Sequence, residues 1–204
     1  SAVTTVTATD ADLPAQTITY SIAGGADAAR FTINASSGAL SFVAAPDYEA
    51  PADTGANNNY DVVVMVSDGS FSDTQAIAVT VTPVSDNAPV IGSNGGGAAA
   101  GINVAENSSA VTTVTASDAD LPAQTLAYSI SGGADAALFS SDSATGVLSF
   151  NSAPDFEAPA DAGTDNVYDL TVQVADGNGR ADTQAIAVRV GNVNEAPVVS
   201  SGGA

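Results

Sequence analysis

Two stretches of the chain are near copies: SAVTTVTATDADLPAQT begins at Ser1 and SAVTTVTASDADLPAQT begins at Ser109. The copying continues at a constant offset, with Asp10 and Asp118, Asp47 and Asp155, and Asp68 and Asp176 each 108 residues apart. That period is too long for a solenoid unit and suits one compact domain. The 204 residues therefore divide into a first domain expected over 1–89, a Gly/Ala-rich linker over 90–101, a second domain over 102–197 and the start of a further linker over 198–204. The counterpart of Glu106 would precede Ser1, so the first copy is expected to lack its opening strand and the chain to be a piece of a longer array.

Apolar and polar residues alternate with period two through VTTVTAT, TITYSI, ALSFVA, YDVVVMV and AIAVTVT, and through VTTVTAS, TLAYSI, VLSFNS, YDLTVQV and AIAVRV in the second copy. Short β-branched and aromatic segments bounded by Gly, Asp, Asn and Pro predict strands. Strands recurring every dozen or so residues over about 100 residues predict an antiparallel Greek-key sandwich. The expected fold is all-β: two tandem Greek-key β-sandwiches, end to end. The one helical turn expected per copy lies in GGADAARF, ending at Phe31, and in GGADAALF, ending at Phe139. Tyr20, Tyr60, Tyr128 and Tyr168 fall at strand positions and read as core or core edge.

Asp and Glu number 23 against three arginines and no lysine, for a net charge of −20. Such a surface repels phosphate backbones and anionic lipid, so no nucleic-acid partner and no direct membrane insertion are expected. The chain has no cysteine, histidine or tryptophan. That removes disulfides, thiol chemistry, the commonest catalytic base, the nitrogen and sulfur ligands of zinc and the usual sugar-stacking platform. No apolar run reaches membrane-spanning length.

The acids recur in four motifs: DAD (Asp10, Asp12; Asp118, Asp120), D-aromatic-E (Asp47, Glu49; Asp155, Glu157), a lone Asp before Gly (Asp68; Asp176), and the unit-ending SDNAP and NVNEAP. In extended D-x-D and D-x-E pieces both carboxylates lie on one side. Hard oxygen donors in irregular loops suit Ca²⁺, which takes six to eight oxygens in a forgiving geometry; Mg²⁺ demands a tighter octahedron. Asp47 and Glu49 also invite comparison with a glycosidase acid pair, but a short motif in every repeat without an aromatic cleft argues against it, and no enzymatic activity is expected.

VAEN at Val104–Asn107, DAD, Y-S-I, F…TG-V-L, D-F-E, YDLTVQVAD and DNAP follow one another in an order that resembles the cadherin repeat in its bacterial cell-surface form, over essentially the whole chain. The resemblance implies calcium between successive repeats. It places Asp47, Glu49, Asp86, the Asn87 carbonyl, Asp118, Asp120 and Asp176 at the central joint. Glu106, Asp155, Glu157, Asn194 and Glu195 would form half of the next joint, and Asp10, Asp12 and Asp68 would complete a preceding one. Three departures from the family pattern stand out: Ser85 replaces an amide ligand, the second linker at Asn192–Glu195 is one residue short, and LPAQT replaces the segment that carries an Asn after DAD. The implied function is a calcium-dependent extender module of a secreted or surface-anchored bacterial adhesin, located at the cell surface, with neighbouring repeats of the same protein as partners. Two alternatives stand beside it: a module binding cell-surface polysaccharide or another cell, and a head-to-tail, strand-donating filament of identical subunits.

Overall fold

The computed structural model describes residues 1–197; the expected linker start at 198–204 lies outside the described residues. Two compact units divide after Val84. The first unit contains β1 (Ala2–Thr5), β2 (Thr19–Gly24), β3 (Phe31–Ile33), β4 (Ala39–Phe42), β5 (Asn59–Ser67) and β6 (Ser72–Thr80). They form two sheets, β1-β4-β3 and β2-β5-β6. The second unit contains β7 (Val90–Ile91), β8 (Ala99–Ala105), β9 (Ala110–Thr113), β10 (Ala116–Ser117), β11 (Ala127–Gly132), β12 (Phe139–Ser141), β13 (Val147–Phe150), β14 (Val167–Ala175) and β15 (Ala181–Gly191). Its sheets are β12-β13-β9 and β11-β14-β15-β8, with a short β10-β7 pair. The all-β expectation holds.

Alternation drives the packing. Along β14 the residues Tyr168, Leu170, Val172 and Val174 are buried while their neighbours face outward or the rim. Phe139, Phe150 and Tyr168 form the heart of this core, with ring centroids 4.3 Å apart for the two phenylalanines and 5.1 and 6.2 Å to the tyrosine. Phe31, Phe42 and Tyr60 repeat the trio at 4.6, 5.1 and 6.4 Å. Edge-to-face contacts of this kind add to the gain from apolar burial. Each buried phenol also meets a polar partner: the Ala52 and Ala160 amides donate to Tyr60 Oη and Tyr168 Oη at 3.1 and 3.2 Å.

The expected helical turns are single 3-10 turns at Ala28–Arg30 and Ala136–Leu138. Each follows a glycine, Gly25 or Gly133, at φ +110°, where a Cβ would collide with the backbone of β5 or β14. That close approach seats Asp27 and Asp135, both 5% exposed, as pegs for backbone amides. Asp135 accepts from Ala162 and Asp169 N–H, both at 2.7 Å, and Asp27 accepts from Thr54 and Asp61 N–H at 2.7 and 2.8 Å.

The stretch 90–101, expected as a Gly/Ala-rich linker, begins and ends in strands of the second unit. Ile91 is buried and pairs with Ala116, and Ala99–Ala105 runs parallel to β15 from Ala185 to Gly191. The turn between them is held by Gln184, which is fully buried. Its Nε2 donates to the carbonyls of Gly97 and Ser93 at 2.8 and 3.4 Å, and its Oε1 accepts from Asn94 Nδ2 at 3.2 Å.

Candidate metal centre

DAD follows β1 in the first unit and β10 in the second, and the lone Asp directly follows β5 or β14, so folding brings the two motifs to one end of each sandwich. In the first unit one carboxylate oxygen each from Asp10, Asp12 and Asp68 lies within 4.8 Å of the others, and Asp118, Asp120 and Asp176 repeat the arrangement in the second. Asp176 directly succeeds Ala175, the last residue of β14.

Glu106, Asp155 and Glu157 form a further cluster within the same limit. Glu106 follows β8, whose end pairs with Gly191, and Arg189 pairs with Val167 at the start of β14. This cluster and that of Asp176 therefore lie at opposite ends of a nine-residue strand, roughly 27 Å apart at ~3.3 Å per residue. In the first unit Asp47 and Glu49 stand in the loop anchored by Asn58, whose Nδ2 donates to the Tyr48 carbonyl at 3.0 Å just before β5. Asp47 Oδ1 accepts from the Glu49 and Ala50 amides at 3.0 and 3.1 Å.

The second unit shows how these carboxylates are kept ionised. Asp120 and Asp176 are 2% and 4% exposed. Burial pushes Asp120 up, but the Asn87 side chain and amide and the Asp86 amide outweigh it and hold the carboxyl below the usual aspartate range; the distances to Oδ1 are 2.8, 3.0 and 3.3 Å. Burial opposes ionisation at Asp176 as well, and the Asn178 and Arg180 amides, at 2.7 and 3.1 Å, reverse it. Ser85 Oγ donates to Asp176 Oδ2 at 3.2 Å. Glu106, 3% exposed, is lowered by the Phe156 and Val193 amides, which meet its two oxygens at 2.8 and 2.6 Å. In the first unit the Phe71 and Ser70 amides lower Asp68.

These are fixed anionic oxygens; the nearby basic side chain in the second unit, Arg180, donates its Nε to the Ser85 carbonyl at 3.3 Å. Asp118 Oδ2 is enclosed in the second unit and has no hydrogen-bond partner. An orphaned anionic oxygen beside two buried carboxylates fits a hard divalent cation, and the oxygen-only donor set matches Ca²⁺.

Of the residues singled out in the sequence, DAD and the lone Asp come together in both units, and Glu106 meets Asp155 and Glu157. Ser85, Asp86 and Asn87 reach Asp120 and Asp176. Glu195 accepts from Asn107 Nδ2 at 2.8 Å. Asn192 Nδ2 donates to Glu157 Oε1 at 2.5 Å. Gln124 and Asn178, which sequence reasoning passed over, bond to each other and to the cluster; a polar residue four positions beyond Asp120 is a weak signal, because nothing in the spacing shows which way it turns.

A profile of the cadherin domain matches residues 1–82 and 101–191. Human Protocadherin Fat 1 is 32% identical over 192 residues, 91% of this chain, and mouse Protocadherin Fat 4 is 34% identical over 200 residues, 95% of this chain. The chain spans 4% of the length of each. Among solved structures, domains 3–6 of Protocadherin Gamma B2 align with a TM-score of 0.65 at 24% identity, covering 95% of this chain and 48% of that one. Human Protocadherin-24 EC1-2 aligns with a TM-score of 0.64 at 22% identity, covering 89% and 85%.

Proposed function

Because the chain belongs to the cadherin domain family, an adhesion-related extracellular module and not a family of enzymes, we propose that its two repeats are a calcium-dependent extender. Cadherin domains bind calcium as a class. In this reading Ca²⁺ neutralises the acid clusters at the ends of the repeats and converts a string of sandwiches into a strut, holding the binding part of a larger surface protein away from the cell. The ligands are Asp118, Asp120 and Asp176 with Asp86 and the Asn87 carbonyl, completed by Asp47 and Glu49. Glu106, Asp155, Glu157, Asn194 and Glu195 serve the following joint, and Asp10, Asp12 and Asp68 the preceding one. Neighbouring repeats are thus the partners the module requires. A cysteine-free, lysine-free chain at a net charge of −20 suits a bacterial surface array.

One observation carries the reading. The segment entering the second repeat, Ser85–Asn87, lies against Asp120 and Asp176, so an ion bound by those carboxylates also fixes that segment. Like charges held within 4.8 Å repel, and a divalent ion replaces that repulsion with attraction. The test is small-angle scattering and calorimetry of the chain with calcium and with chelator, repeated on Asp118→Ala. Stiffening and a higher melting temperature of the second unit with calcium, both lost in the variant, are expected. Unchanged dimensions and melting after chelation would sink the proposal.

A further inference from the structure

We propose that residues 197–201 of one copy of this chain dock into the first unit of a second copy, seating Val199 in an apolar groove and pairing with Thr7–Thr9. Such a contact is heterologous, joining copies head to tail, and it does not depend on calcium.

The second unit shows the seat filled. Ile91 is buried in its core and pairs with Ala116, and its amide donates to Asp182 Oδ2 at 2.8 Å. The Gly92 amide donates to the Thr115 carbonyl at 2.9 Å, and the Thr115 amide donates to Ser93 Oγ at 3.0 Å. The first unit keeps the matching pieces around an open place. Thr7, Ala8 and Thr9 stand where the second unit has Thr115, Ala116 and Ser117, but they form no strand. Beside them lies a groove of about 300 Å³ lined by Val6, Ala8, Val64, Val66, Asp73 and Gln75. Val66 is half-buried there, whereas its counterpart Val174 is fully buried. Asp73 and Asp182 each accept the next amide through Oδ1 at 2.8 Å. Asp182 Oδ2 holds Ile91, and Asp73 Oδ2 accepts no hydrogen bond among the described residues.

The occupant is written in the chain. APVVSS at 196–201 repeats APVIGS at 88–93 at the same offset of 108, so Val199 matches Ile91 and Ser201 matches Ser93. Carried onto the first unit, Val199 N–H donates to Asp73 Oδ2, Ser200 N–H donates to the Thr7 carbonyl, and Thr7 N–H donates to Ser201 Oγ. The backbone pairing gives hydrogen bonds and the groove selects one aliphatic side chain, the pattern of strand addition to a sheet. The donor is a second copy because the same chain's segment stops short. Ser85–Asn87 enters the second unit at the Asp120 and Asp176 end. Glu195 is held by Asn107 at the other end, about 27 Å away. Val199 is four residues beyond Glu195, a reach of at most about 14 Å. One valine and three hydrogen bonds make a weak contact, with a dissociation constant of about 0.1–1 mM. Copies that each carry a net charge of −20 also repel, so salt favours the contact.

The experiment is a ¹⁵N NMR dilution series of the full chain up to about 1 mM, with translational diffusion measured on the same samples. It is run in chelator, to leave calcium out, and in about 0.5 M NaCl, where the Debye length falls to about 4 Å. Slower diffusion at high concentration, with movement of the Thr7 and Ala8 amide signals, is expected. Val199→Asp, which drives a carboxylate into the apolar groove, should weaken the association at least about tenfold. Val199→Ile, which restores the residue that fills the second unit, should tighten it about fourfold, the worth of one buried methylene. A synthetic peptide of residues 196–204 added to the Val199→Asp chain should move the same Thr7 and Ala8 signals. A chain that stays monomeric with unmoved signals overturns the proposal. Association that survives Val199→Asp lies on another surface and overturns it as well. Signals that depend on Val199 but not on concentration would put the chain's own segment in the groove and overturn the second copy as donor.

Discussion

The peptide DADLPAQT occurs in both units, yet its carboxylates meet different surroundings. Asp10 and Asp12 are exposed, whereas Asp118 is half-buried and Asp120 almost completely buried. The difference does not lie in the motif. In the second unit Ser85–Asn87, Gln124, Asn178 and Arg180 close over the acids. The edge of β15 also carries β8, while β6 has β5 as its one strand neighbour among the described residues. The motif places the oxygens, and the segment that enters a repeat sets how deep and how well partnered they are.

The comparison is sharpest where the units agree. Tyr60 and Tyr168 are equally buried, each 1% exposed, in matching aromatic trios. Tyr60→Ala and Tyr168→Ala should each destabilise their own unit by about 3–5 kcal/mol, measured by denaturant unfolding of the full chain with the two transitions resolved. A markedly smaller loss in either unit would show that the cores, and not only the sites, have diverged.

The next effect separates them. At free calcium about 100-fold above the dissociation constant, binding adds about 2.7 kcal/mol to a folded unit. Asp118→Ala should remove this gain from the second unit's transition and leave the first unit's response in place, read by differential scanning calorimetry with and without chelator. Equal loss from both transitions would mean that the sites are not independent.

Much of this was legible in the sequence because the signal was local. Period-two alternation located the long strands, the glycine pair located the 3-10 turns, and DAD with the lone Asp located the clusters. What remained hidden was set by distant partners. Residues 99–101 consist of Ala and Gly and read as the end of the linker, but open a strand that runs to Ala105 because β15 offers it a parallel edge. Asp27, Asp53, Asp135 and Asp161 look like solvated turn acids, yet all four are buried and peg backbone amides, as when Asp161 accepts from Asp165 and Asn166. Asn192, inside NVNEAP, and Gln124, inside LPAQT, were assigned no contact, since only the folded loops show which carboxylate an amide meets.

Gln75 and Gln184 occupy matching places in DTQAIAV, but Gln184 is fully buried and Gln75 is exposed. Gln184→Ala strands the Ser93 and Gly97 carbonyls and should cost about 1–3 kcal/mol, whereas Gln75→Ala should stay within about 0.5 kcal/mol. Urea midpoints decide the point, and equal costs would place Gln75 in a contact of its own.

The smallest expected effect concerns the pegs. Asp27 accepts from the Asp61 amide and from both the amide and the hydroxyl of Thr54, the last at 2.8 Å; the second unit has Ala162 in place of Thr54. The Asp61 hydrogen bond leads, and with those of Thr54 it outweighs burial and lowers the Asp27 carboxyl. A carboxyl lowered by folding stabilises the protein above its ordinary titration range near pH 4, and that contribution is lost as pH falls through the lower folded value. Thr54→Ala keeps the backbone donor, removes the hydroxyl and makes the first unit's peg like the second's. It should cost about 0.5–1.5 kcal/mol at neutral pH. By moving Asp27 back toward its ordinary value, it should also make the acid loss of the first unit smaller and complete at a higher pH. Melts in chelator from about pH 7 down to about pH 3 measure both, and acid limbs that superimpose after correction for the neutral-pH offset would show that the hydroxyl holds the loop without tuning the carboxylate.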